Sequence, residues 1–189
     1  MTIEEIFKEI LGHMLKGMMV HEQFANYYDF LGLDGYRQCH EYHFIDESCN
    51  YRNMYHYYME TYDKLLPQLD FSNPLIIPQS WIKYTRQDVD INTKQSAIEK
   101  GLMEWIKWES DTLELYQKHY QELMKLGEVA AAAHLLDIIK DVQEELQTAK
   151  QYHLNKLSTD YDMTLVIEEQ KKKKKEFKDK ITKRYCYIL

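Results

Sequence analysis

Proline, cysteine and glycine are all scarce in this 189-residue chain, with three, three and six residues. The prolines, Pro67, Pro74 and Pro78, all fall in one interval, so nothing outside it bars long helices, whose interiors exclude proline. Cys39, Cys49 and Cys186 are odd in number, scattered and without a C-x-x-C spacing. That pattern excludes a disulfide framework or a zinc knuckle as the organising element. No run of about 18 apolar residues occurs, so no membrane span is expected. The opening Met1-Thr2-Ile3-Glu4-Glu5 has neither the basic nor the apolar stretch of a secretory signal. Glycine-rich phosphate loops, nucleophile elbows and zinc-protease helix motifs are missing too, which leaves hydrolase and kinase chemistry without support. The expectation is a soluble, reduced, cytoplasmic protein.

Tyrosine is abundant, at 16 residues; it supplies bulk with a polar tip and suits half-buried helix faces. The net formal charge is −7, yet residues 171–189 carry nine Lys/Arg against two acids, and residues 1–170 carry 15 against 29. An acidic body attracts cations and repels phosphates. The run Lys171–Lys175 reads as a solvated tail, and any nucleic-acid contact would have to come through the lysine-rich 171–184.

Ile3, Ile6, Phe7, Ile10, Met14, Met18, Ala25 and Tyr28 recur with a helical period behind Thr2, a suitable N-cap. Gly32-Leu33-Asp34-Gly35 is a turn signal. A second helix is expected from about 36 to 65, a third from about 95 to 126 opened by Ser96 and Glu99 as a capping box, and a fourth from about 128 to 156 after Gly127. The interval 67–94 needs a reason to be so long. A helix of about 28 residues is roughly 42 Å long, and an extended interval at about 3.3 Å per residue travels that length easily. The expected fold is therefore all-α: a four-helix bundle over 1–157 with a long crossover between helices two and three, then a C-terminal helical segment and basic tail over 158–189.

Glu22, Asn53, His56, Glu109 and Gln143 fall on the expected apolar sides of these four helices. Asn53 and His56, spaced i, i+3, point the same way. Burying such groups is costly unless they pair, hydrogen-bond or hold a cation, and four-helix bundles build metal sites from Glu and Glu-x-x-His side chains converging on the core. These five are the candidate metal ligands.

The same residues resemble those of a known family. Glu22-Gln23-Phe24-Ala25-Asn26-Tyr27-Tyr28 resembles the first-helix motif of ferritins, and Asn53-x-x-His56 falls about where their Glu-x-x-His falls. Trp108-Glu109-Ser110 with Leu113-Glu114-Leu115-Tyr116 resembles the third-helix segment, and Leu135-Leu136 with Asp141-Val142-Gln143-Glu144-Glu145 resembles the fourth. The resemblance covers roughly residues 3–156. It implies a ferritin-like bundle, a homo-oligomer, and a di-iron centre that oxidises Fe(II) with dioxygen. Glu22 and His56 would hold one iron, Glu109 the other, and Gln143 would lie in the outer part of the site. Asn53 takes the place of the bridging carboxylate, and a neutral amide offers no charge to offset repulsion between two cations. A weak or mononuclear site is the consequence unless Glu47, Glu60, Asp137 or Asp141 turns inward.

Two readings stand side by side. One is a ferritin-like protein binding iron or another divalent metal, with weak ferroxidase-type oxidoreductase activity. The other is a non-enzymatic structural or interaction protein that keeps the bundle and has lost its di-iron centre, with Glu109 bonded to tyrosine hydroxyls and His56 a satisfied core histidine. His21 reads as a supporting or surface group, and His40 and His43, spaced i, i+3, as a surface metal candidate.

Overall fold

The computed structural model describes residues 1–66, 69 and 89–185. They form five helices: α1 (Ile3–Phe30), α2 (Asp34–Tyr62), α3 (Ile91–Lys125), α4 (Val129–Leu157) and α5 (Met163–Tyr185), with no strand among the described residues. No helix among them is long and apolar enough to cross a membrane.

Local chemistry sets the helix ends. Thr2 caps α1 in a full capping box with Glu5. α1 then stops in a Schellman turn, with Leu33 N donating to Tyr28 O at 2.9 Å and Gly32 at φ +69°. Gly127 at φ +78° ends α3 in the same way, with Glu128 N donating to Leu123 O at 2.9 Å. The start of α3 departs from expectation. Asp90 is its N-cap, accepting from Thr93 N at 2.7 Å, so Ser96 and Glu99 lie inside the helix. An Asp six residues upstream satisfies the free N–H groups first.

α1 packs antiparallel to α2, joined by Phe7–Tyr58 ring contact at one end and His21–His40 at the other. α1 also runs antiparallel to α3, with the His13 and Trp108 rings stacked at 4.6 Å. α4 runs antiparallel to both α3 and α2, through Trp105–Tyr152 and Tyr57–His134. α2 and α3 therefore point the same way. The Tyr62 hydroxyl, at the end of α2, donates to Glu128 in the α3–α4 turn at 2.8 Å. Lys94, at the start of α3, reaches Gly32 in the α1–α2 turn. The link between α2 and α3 thus joins opposite ends of the body; the path of the expected crossover, with 67–68 and 70–88, lies outside the described residues.

Two apolar clusters fill the body. One gathers Ile6, Phe7, Ile10, Leu11, Met14, Met54, Tyr58, Tyr116, Leu123 and Leu135. The other gathers Val20, Phe24, Tyr28, Tyr36, Leu102 and Trp105, together with Val166 and Phe177 of α5. Each large apolar side chain so buried contributes about 1.5–3 kcal/mol. Between the clusters lies a polar layer at one level of all four long helices.

The C-terminal segment is helical, as expected, but its lysine run belongs to that helix and is not solvated throughout. A turn through Asp160 and Tyr161 leads into one continuous helix, α5, which packs on α2. A Cβ on Gly35 would meet the Gln170 carbonyl oxygen at 2.7 Å, so the two backbones touch there. Gln170 Oε1 accepts from Tyr36 N at 3.0 Å. Lys173, in the middle of the lysine run, is 3% exposed, with Nζ 2.8 Å from the Tyr152 ring centroid and 4.9 Å from that of Tyr36. Its neighbours Lys171, Lys172, Lys174 and Lys175 are exposed, and Lys174 pairs with Asp34 at 2.6 Å.

Candidate metal centre

The polar layer takes three residues from α2 and one from each of the other long helices. α1 supplies His21, one turn from Gly17 and Phe24 on the inner stripe. α2 supplies His40, His43 and Glu47, which share a face through i, i+3 and i, i+4 spacing. α3 supplies Glu109, between Trp105 and Thr112, and α4 supplies Glu145, between Val142 and Ala149. His21, His40, His43, Glu47 and Glu109 are all buried and Glu145 is half-buried.

One ligand atom each from His21, Glu109 and Glu145 lies within 4.8 Å of the others. His21 Nε2 is 3.6 Å from Glu109 Oε1 and has no hydrogen-bond partner. Its Nδ1 shares a proton with His40 Nδ1 at 3.1 Å. Trp105 Nε1 donates to Glu109 Oε1 at 2.9 Å, and His43 Nδ1 stands 3.0 Å from Glu145 Oε2. Glu47 Oε2 and the Tyr116 hydroxyl are buried without hydrogen-bond partners. Glu47 fits because Gly17 opposite it lacks a side chain; a Cβ there would meet Glu47 Oε1 at 3.0 Å.

Burial, reinforced by Glu145 and Glu47, holds the Glu109 carboxyl well above the usual carboxylate range. Burial, with Glu145 and Asp46, does the same to Glu47. His21 and His40 are held well below the ordinary imidazole value, chiefly by burial, so both are neutral at pH 7. For His43 burial pulls downward, but the Glu145 carboxylate and Cys39 outweigh it and raise the imidazole well above its ordinary value. The layer thus places three carboxyl groups around two neutral imidazoles and one cationic one.

Of the five residues singled out from the sequence, only Glu109 lies in this layer. Glu22, Asn53, His56 and Gln143 are exposed, and Glu22 accepts from Asn26 Nδ2 at 3.0 Å on the outer face of α1. The expected convergence of these four on the core is corrected for a simple reason. One residue along a helix turns a side chain by about 100°, so Glu22 points out where His21 points in, and Gln143 points out where Val142 points in. On α2 the polar layer falls a few turns earlier than Asn53 and His56, which flank buried Met54. The missing charge of Asn53 accordingly leaves the layer unaffected. Of the four acids considered as compensation, Glu47 turns inward, while Glu60, Asp137 and Asp141 are exposed. His21, His40 and His43 are core residues, contrary to a surface placement. The partner of Glu109 is an indole N–H rather than a tyrosine hydroxyl. The signal that finds the layer is its common level: polar residues interrupt the apolar stripes of α1, α2, α3 and α4 at matching heights.

Comparison with known proteins returns no match to any family model, curated protein or solved structure.

Proposed function

We propose that the protein binds a divalent metal ion in the polar layer between its apolar clusters, on a ferritin-like bundle, with iron as the ion the sequence resemblance implies. The observation that carries this reading is the convergence of His21, Glu109 and Glu145, from three helices, to within 4.8 Å. The donor set suits the ion. Carboxylate oxygens and neutral imidazole nitrogens serve iron, zinc and manganese alike. His21 presents an unbonded buried nitrogen, and the His40 contact behind it is the kind of support that orients a ligating histidine. A cation also relieves the layer's own conflict. Carboxyl groups that repel one another in a dry interior bind a proton when no metal is present and a metal when one is.

His21, Glu109 and Glu145 would hold the ion. Trp105 orients Glu109, Glu47 stands beside the trio with a carboxyl group to contribute, and His43 contacts Glu145. A bound iron would supply redox chemistry with dioxygen. The antiparallel pairing of α1 with α2 and α3 with α4, and the opposite ends joined by the α2–α3 link, agree with the bundle this reading assumes.

A second reading has its own observation. The His43–Glu145 and Trp105–Glu109 contacts already give two of the three carboxylates a partner, as a metal-free polar layer in a structural protein requires. Elemental analysis of purified protein, followed by titration with Fe(II), Zn(II) and Mn(II), separates the two. Metal in the wild type, lost in both Glu109→Gln and Glu145→Gln, supports the centre. Absence of binding by the wild type leaves the structural reading. Near-ultraviolet absorbance after aerobic Fe(II) addition tests for iron oxidation.

A further inference from the structure

A second cavity, of about 270 Å³, opens between α2, α4 and α5. Its wall carries Asp46, Asp141, Glu144, Glu145 and Glu176 against His43 and Lys180. Two wall residues, Glu145 and His43, belong to the polar layer, so the cavity runs from the surface to the back of the candidate centre. Asp141, Glu144 and Glu176 are exposed at its mouth. The α5 side is closed by Phe177, 4% exposed and 6.4 Å from the His43 ring. Lys180, on the same wall, is paired with Glu176 at 2.9 Å and lies 4.9 Å from the Phe177 ring centroid.

We infer that this acid-lined cavity is the route by which a divalent cation reaches the bundle core, with α5 as one of its walls. The inference rests on the metal-binding reading above. Three observations favour this path. At about 30 Å³ per molecule in the liquid, the cavity has room for a cation that keeps part of its water. Carboxylates gathered in a cleft with low-dielectric walls concentrate cations at its mouth and raise the rate of capture. The larger cavity, about 840 Å³, lies at the α1–α2 turn; its wall sets Lys94, Lys171 and Lys174 against Asp34 and Asp90 and includes no residue of the polar layer. A cation held there is not led to the converging ligands.

Glu145 then has two faces. It closes the inner end of the cavity and is also one of the three converging ligands, so it can take a cation from the cavity wall and share it with Glu109 and His21. This gives a reason for its half-buried position, in contrast to the full burial of Glu109.

The test is the rate of Co(II) loading of the full-length, metal-free protein, followed by stopped-flow visible absorbance, with final stoichiometry from elemental analysis. Asp141→Asn, Glu144→Gln and Glu176→Gln combined should slow loading about tenfold or more at low ionic strength. Salt should shrink the difference, and the final Co(II) per chain should not change. A control with the same change in net charge, Glu99→Gln, Asp111→Asn and Glu114→Gln on the exposed face of α3, should load like the wild type. Equal rates for the mouth variant and the wild type overturn the route while leaving the centre standing. Equal slowing by both variants also overturns it, because only overall charge would then matter. A wild type that takes up no Co(II) overturns the centre and the route together.

Discussion

Trp105 Nε1 donates to Glu109 Oε1 at 2.9 Å, one helical turn away on α3, with both residues buried. The bonded oxygen is also the one that faces His21 Nε2, at 3.6 Å, so the indole holds the carboxylate toward the layer. Replacing Glu109 separates its two roles. Glu109→Ala should abolish metal binding and also cost about 1–3 kcal/mol by stranding the indole N–H. Glu109→Gln keeps an acceptor for Trp105, so it should lose the metal with a smaller loss of metal-free stability. Urea denaturation with and without chelator checks both; a metal site that survives Glu109→Gln would contradict the assignment.

The same carboxyl predicts a pH dependence. The Glu109 pKa is raised in the folded chain, so its contribution is complete below the unfolded carboxylate value of about 4.3 and is lost as pH rises through the folded value. His21 and His40 are shifted down and act in the opposite sense: their contribution is present above about 6.5 and is lost as pH falls. Comparison with Glu109→Gln isolates the carboxyl. In chelator, the stability of that variant relative to the wild type should increase from about pH 5 to about pH 8. A constant difference would show that the folded Glu109 is ionised throughout that range, its pKa not raised.

The outward residues supply a test of register. Glu22→Gln, His56→Ala and Gln143→Ala should each change stability by no more than about 0.5 kcal/mol, as exposed positions do, and leave metal content unchanged. His21→Ala and Glu145→Gln, one or two positions away, should remove the metal. Loss of metal in the first set would place the site elsewhere.

Much of the architecture can be read from the sequence, and the contrast between helices shows why the site is harder. On α1 the spacing of Ile3, Ile6, Ile10 and Met14 behind a Thr2 cap, and the stop at Gly32, identify the element almost to the residue. The phase of a polar layer is another matter. Between Tyr36 and Tyr62, α2 mixes His40, His43, Tyr55, His56, Tyr57 and Tyr58 around its circumference. Each is bulky enough to be buried and polar enough to be exposed, so the apolar stripe that would orient the helix is blurred. Glu109 was legible because Leu102, Ile106, Leu113 and Tyr116 mark an inner stripe on α3. The docking of α5 was not, because a run of five lysines reads as solvated until Lys173 is seen against Tyr36 and Tyr152.

That buried lysine makes its own prediction. Burial pulls Lys173 down to about 7, well below the ordinary lysine value of about 10.4. A lowered lysine contributes stability above its unfolded value that is lost as pH falls through the folded one. Lys173→Met, which keeps the volume and removes the charge, should therefore stabilise the protein at pH 6 by ~1–3 kcal/mol. It should also strengthen hydrogen-exchange protection across α5. Destabilisation at pH 6 would mean that the Tyr152 and Tyr36 rings and the Glu169 carboxylate, 3.3 Å from Lys173 Nζ, favour the charged form more than burial disfavours it.

The placement of the polar layer between two apolar halves also constrains how the helices can be threaded against one another. Apolar stripes alone tolerate a slide of one turn, about 5.4 Å, because one oily side chain replaces another. Here such a slide of α1 would carry His21 off the level of His40 and Glu109 and drive an apolar neighbour into the carboxylates. On α3 it would move Glu109 into hydrocarbon without Glu145 or His21 beside it. Misaligned packings are thus penalised at four helices at once, and the layer serves as an alignment key for the long antiparallel pairs, whether or not an ion is bound.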